Sequence, residues 1–205
     1  MRLHDIQQLY GAQVQITWRA FPLVPEHRPG RRSTEHTRDS RQRAGAEEAR
    51  ARFALPELET ALPASSIPAL TAAKCAEQQG GAAFAAFHHG LFVAHFYDNL
   101  DISCPDVLWR LAQASGLDMT RFQHDYTSAA SYQAVLHDYA EAVAWFGVSA
   151  LPTVIFNEKV SLVGAVPVAQ YRLLLDWILA GEPGGLIPLD FSAPATEAAG
   201  QSPVR

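Results

Sequence analysis

The chain is 205 residues long with a formal net charge of −5, and 48% of it is hydrophobic against 18% charged. That is enough apolar material for one domain, or one domain with an insert, around a real core. No apolar run approaches the ~18 residues a membrane helix needs, and Met1–Gly11 lack the apolar stretch of a secretory leader. A cytoplasmic protein without a membrane partner is therefore expected.

In chain order, Leu3, Ile6 and Leu9–Tyr10 recur at helical spacing and Gly11 stops the run, predicting a helix. From Ala12, Val14, Ile16, Trp18 and Ala20 alternate with Gln13, Gln15, Thr17 and Arg19. That alternation predicts a strand, ended by Pro22 and Pro25. Arg28, Arg31, Arg32, Arg38, Arg41, Arg43, Arg50 and Arg52 then lie among Glu35, Asp39, Glu47 and Glu48. These arginines have no fixed period and no interleaved aromatics, so a nucleic-acid partner is not expected. Residues 26–64 read as a solvated, mobile connector with some helix around Ala44–Phe53.

The middle of the chain reads as helical. Ser65–Ser66 and Pro68 open a helix that runs to Gly80–Gly81. Phe84, Phe87, His88, Leu91, Phe92, His95 and Phe96 form an apolar stripe on the next one, a core pattern rather than a set of ligands. Helices follow from Pro105 to about Ala114, around Met119–Tyr126, and from about Ser131 to Phe146. "PTVIF" and "VSLVGA" are β-branched runs separated by Asn157–Glu158–Lys159, which predicts a hairpin. Val168, Tyr171, Leu174, Leu175 and Ile178 predict a last amphipathic helix ending at Gly181, and residues 182–205 a mobile tail. The order is an α/β layout: helix, strand, connector, four or five helices, two strands, helix.

There are two cysteines, Cys75 and Cys104, and no C-x-x-C, H-E-x-x-H, Walker loop, G-x-S-x-G or G-x-G-x-x-G. His88 and His89 are adjacent and diverge by ~100° on a helix, so no metal site is expected from them. Cys75 lies among Leu70, Ala73 and Ala76 and reads as a small core residue. Cys104 precedes Pro105 and so falls at a helix N-cap, where a thiol pKa is lowered. It is the one catalytic candidate in the chain, and the competing reading is a poor cap in place of a better one.

Three stretches carry a family resemblance: "WRAFPLVP" (Trp18–Pro25), "HHGLFVAHFYDNLDISCPDVL" (His88–Leu108) and "GVSALPTVIFNEKVSLVGAVP" (Gly147–Pro167). The chain resembles the DsbA family of thiol–disulfide oxidoreductases, most closely the cytoplasmic FrnE type. The resemblance implies a thioredoxin-like fold with an incomplete sheet and an all-helical DsbA-type insert. It implies a single domain over 1–181, with thioredoxin parts at about 1–25 and 147–181, the connector at 26–64 and the insert at about 65–146. Local sequence favours an ordinary trans Pro152 opening an edge strand over a cis one; the resemblance implies cis at Leu151–Pro152. It further implies that Leu151, Pro152 and Thr153 hold an extended substrate by backbone hydrogen bonds, and that the site is free of metal.

One departure matters. The family's first strand and its C-x-x-C would precede Met1, so a truncated start is expected and the catalytic dithiol is absent from the chain as given. The expected partners are protein or small thiols, and no cofactor is expected, with glutathione a candidate substrate. Two other readings stand beside this one. Kappa-class glutathione transferases and chromene-carboxylate isomerases resemble the same layout and carry a serine at the equivalent helix start. A redox-inactive domain would instead bind a peptide or partner, with its uncovered sheet edge closed by a homodimer.

Overall fold

The computed structural model describes residues 1–184, so most of the expected 182–205 tail lies outside the described residues. The chain forms two compact units, Met1–Ile16 with the segment from Ala150 onward, and Thr17–Ser149.

The first unit begins with helix α1 (Arg2–Tyr10), which Gly11 ends at φ 54. A single 3-10 turn, Gly11–Gln13, follows. The second stretch of this unit supplies strands β1 (Thr153–Phe156) and β2 (Val160–Val163) and helix α8 (Val168–Leu179). The strands pair antiparallel, with Val154 opposite Leu162 and Phe156 opposite Val160. Asn157 and Glu158 both take positive φ, 47 and 58, which is the backbone a tight hairpin turn demands.

Side chains alternate across the pleat. Phe156 and Leu162 therefore point one way, where they join Ile6, Tyr10, Tyr171, Leu174 and Leu175 in a core. Thr153, Ile155, Ser161 and Val163 take the opposite face, and Val163 is 56% exposed there. Polar ties reinforce the packing of α1 on α8. The Tyr10 hydroxyl donates to the Asp176 carboxylate at 2.6 Å, and Arg2 donates to the carbonyls of Ala165 and Val166.

The second unit is built on five helices: α3 (Ile67–Glu77), α4 (Gly81–Phe96), α5 (Pro105–Ala114), α6 (Met119–Thr127) and α7 (Ala129–Ala144). Helix α3 is its hub, burying Ala69, Ala72, Ala73, Cys75 and Ala76 against Phe87, Leu91, Leu108, Ala112 and Phe122. Small residues along α3 let four neighbours approach it closely, and the aromatics on α4 and α6 fill the space between. On α4 the stripe at i, i+4 spacing becomes a row of ring contacts. Phe84 stacks on His88 at 5.1 Å, and His88 meets Phe92 at 5.1 Å.

The structure departs from two expectations. The alternating segment Val14–Ala20 is not a strand: the described residues form one two-stranded sheet, β1 with β2, and neither pairs with this segment. A ladder needs a neighbour as well as an alternating pattern. Side chains supply partners instead. Gln7 Nε2 donates to the Val14 carbonyl, and the Ala20 N–H donates to Asp138.

The connector is not a solvated coil. It contains helix α2 (Glu35–Glu47), earlier than the predicted Ala44–Phe53, opened by a reciprocal Thr34–Thr37 capping box. Ser33 is fully buried, and its N–H and the Leu62 N–H pair with the carbonyls of Thr60 and Arg31. Arginines read as solvated are used inward. Arg31 donates to the Pro63 carbonyl and Arg38 to the Pro56 carbonyl, each at 2.7 Å. Arg41, 5% exposed, donates to the carbonyls of Ala54, His95 and Phe96 and to the Asn99 side chain. Guanidinium is the cation that can serve several acceptors at once in a fixed fork.

Candidate functional site

The turn into β1 is the sequence Ala150–Leu151–Pro152–Thr153, and its Leu151–Pro152 peptide is cis. The carbonyls on either side of Leu151 are both occupied. The Gly164 N–H donates to the Pro152 carbonyl at 2.7 Å, and the Thr153 hydroxyl donates to the Ala150 carbonyl at 2.7 Å. The first of these bonds fixes the phase of the ladder. In an antiparallel pair, hydrogen-bonded positions alternate with non-bonded ones. Pro152, Val154 and Phe156 therefore turn their peptide groups toward β2, and Leu151, Thr153 and Ile155 turn theirs away. No other strand among the described residues pairs that outer edge.

Leu151 is thus the special position. Its residue is 40% exposed, and its N–H and C=O have no hydrogen-bond partner among the described residues. Such a pair of groups is what an extended peptide needs to add itself to an edge. Leu151 and Val163 supply apolar surface beside it. The three residues singled out from sequence, Leu151, Pro152 and Thr153, come together here within one turn.

Cys104, the catalytic candidate, lies in the second unit. It is the N-cap of α5, partly exposed, with a free thiol that makes no capping hydrogen bond. Its neighbours are an Asp101–Ser103 turn and the first turn of α5, with the Val107 and Leu108 N–H groups on the Cys104 carbonyl. No base or second thiol is bonded to it among the described residues. Cys75 is fully buried, its thiol hydrogen-bonded to Ser131 at 3.3 Å, and burial pushes its pKa up. A raised pKa disfavours the thiolate, so Cys75 is a packing residue and not a nucleophile.

Two of the α4 histidines are shifted by their surroundings. Burial lowers His88 below its ordinary value, and burial together with Arg41 and Arg31 brings His95 to about 4.

Sequence reasoning missed the charged centre of the second unit. Asp138, 3% exposed on α7, accepts from Lys74 Nζ at 2.7 Å, from the Ala20 N–H at 2.8 Å and from Arg19 Nη1 at 3.2 Å. Lys74 also meets Glu77 at 2.9 Å and lies 4.7 Å from the centre of the Trp18 ring. The signal was available in the spacing: Ser131, Val135 and Asp138 share the buried face of α7, and a charge on such a face requires a partner.

His137, Asp138 and Glu141 place one ligand atom each within 4.8 Å of one another. Lys74 and Arg19 already neutralise the Asp138 carboxylate, which leaves this trio a poor fit for a further cation.

Over residues 1–176 the chain matches the family described as DSBA-like thioredoxin domain. A solved structure, "Crystal structure of a putative protein disulfide isomerase from Nitrosomonas europaea", superposes with a TM-score of 0.66 at 20% sequence identity. The match covers 87% of this chain and 89% of that one.

Proposed function

Because the chain belongs to the family of DSBA-like thioredoxin domains, we propose that it serves thiol–disulfide exchange, with the Leu151 backbone as the platform for an extended thiol substrate. Its fold is the thioredoxin-like DSBA fold, mostly helical with a small two-stranded sheet. The observation that carries the reading is the unpaired N–H and C=O of Leu151 on the open edge of β1, between two carbonyls that are already bonded. A guest strand placed there donates one hydrogen bond and accepts another, and its sulfur is held at the rim of the sheet. Protein thiols and glutathione both have the required chemistry: a cysteine in an extended backbone.

Exchange requires a thiolate that attacks a disulfide sulfur. One S–S bond forms as the other breaks, and the departing thiolate takes up a proton. Neither Cys75 nor Cys104 forms a C-x-x-C, so exchange by this route requires a dithiol that these 205 residues do not contain. The outer edge of β1, with the peptide groups of Thr153 and Ile155 turned toward it, is where a further strand leading to that dithiol would pair. The coding sequence ahead of Met1 tests this. An in-frame strand followed by C-P-x-C is expected, and the longer chain is expected to catalyse reduction of a protein disulfide by a small thiol.

The lack of a C-x-x-C in the chain favours one second reading, a redox-inactive domain that binds extended peptides at the same edge. A folded 205-residue chain with no in-frame extension establishes that reading and overturns exchange. An upstream serine in place of the first cysteine, with retention on immobilised glutathione, overturns it in favour of a glutathione-transferase chemistry.

A further inference from the structure

Thr153 occupies an unusual place: its backbone starts β1 while its side chain reaches back to the loop before it. We propose that Thr153 is a positioning residue, whose hydroxyl holds the Ala150 carbonyl and thereby sets the direction in which the Leu151 peptide groups project. This rests on the reading of Leu151 as the substrate platform. The ligand it serves is a short extended cysteinyl peptide of the glutathione type.

The argument is one of anchoring. The loop segment Ala150–Pro152 has two tethers to the hairpin: the Gly164 N–H on the Pro152 carbonyl and the Thr153 hydroxyl on the Ala150 carbonyl, both 2.7 Å. They flank Leu151 on its two sides. With both in place the Leu151 peptide planes are fixed from each end. With the hydroxyl gone, the Ala150 carbonyl loses its only hydrogen bond among the described residues, and the plane between Ala150 and Leu151 is free to turn. That plane contains the Leu151 N–H. A guest strand then meets an acceptor held in place and a donor that is not, and must order the donor on binding.

Threonine suits the task because β-branching restricts its χ1, which keeps the hydroxyl aimed at one acceptor. The residue also lies on the hairpin face opposite the α1–α8 core, so its replacement leaves that packing untouched. Valine copies its shape without the donor, and serine keeps the donor without the methyl.

The test is a titration of the ¹⁵N-labelled 205-residue chain with S-methylglutathione, which has no thiol and reports binding alone. Wild type is expected to show a saturable shift of the Leu151 amide. Thr153→Val is expected to weaken binding about fivefold, the scale of one lost hydrogen bond, and Thr153→Ala to do the same. Thr153→Ser is expected to stay within twofold of wild type. Without ligand, the Leu151 amide is expected to exchange with solvent faster in Thr153→Val than in Thr153→Ser. Val or Ala variants that bind like wild type overturn the positioning role and leave the platform standing. So does a Ser variant that weakens as they do. Wild type with no saturable shift at Leu151 overturns both.

Discussion

Replacing Asp138 by alanine tests whether the second unit is organised around one buried carboxylate. In the native protein that carboxylate has three donors: Lys74, the Ala20 N–H and Arg19. Their losses differ. Lys74 is 7% exposed and would keep only Glu77 as an ionic partner; removing one partner of a buried pair costs about 3–5 kcal/mol. The Ala20 N–H, on a residue 1% exposed, would be left without an acceptor, a loss of about 1–3 kcal/mol on its own. Arg19, with its side chain 58% exposed, adds little, because exposed pairs contribute about 0–1 kcal/mol. These losses overlap and do not add, and Glu77 and the Trp18 face soften the first, so the expected cost is about 3 kcal/mol. Urea unfolding followed by tryptophan fluorescence measures it. The double variant Lys74→Met/Asp138→Leu is expected to recover part of the loss, since the buried cation leaves with its partner, while the Ala20 N–H stays without an acceptor and the half-buried Glu77 loses Lys74. A single-variant cost below about 1 kcal/mol, or a double variant no more stable than Asp138→Ala, would refute the reasoning.

Acid should weaken the fold through His95. Its pKa is about 4 in the native protein, against 6.5 ordinarily. Between those values the unfolded chain binds a proton that the native chain refuses, so stability falls as the pH drops through this window. The full effect is on the order of 3 kcal/mol, and urea midpoints at pH 7 and pH 4.5 should converge partway in His95→Gln. Cys104→Asp should stabilise the protein by about 1 kcal/mol, seen as a higher melting temperature, because α5 gains the side-chain acceptor its N-cap lacks. Glu158→Gly should also stabilise, by about 0.5 kcal/mol in the same assay. The left-handed backbone at φ 58 penalises glutamate, and part of the gain is returned as glycine's chain entropy.

What the sequence disclosed was what neighbours in the chain decide. Pro105 and Gly116 bracket α5, and the predicted Pro105–Ala114 is the observed helix. The β-branched runs around Asn157–Glu158 are the observed hairpin, because a tight turn and two alternating strands are local facts. The segment Val14–Ala20 failed for the converse reason: alternation describes one strand, whereas a ladder depends on a second. The arginines of 26–64 misled because their spacing has no helical or strand period, while their acceptors are backbone carbonyls that leave no mark in the sequence. Thr153 was identified through a resemblance, but the acceptor of its hydroxyl, three residues back, came from geometry alone.

Arg41 carries a consequence of its own. Its one guanidinium ends the α4 helix at His95 and Phe96 while also gripping Ala54. A stretch that has little regular structure of its own thus borrows its shape from a helix some forty residues further on. Residues 48–56 thus take part of their shape from α4 and part from α2, with a single planar cation as the buckle between them. Lysine, with the same charge but no fork, would carry the charge without closing the clasp.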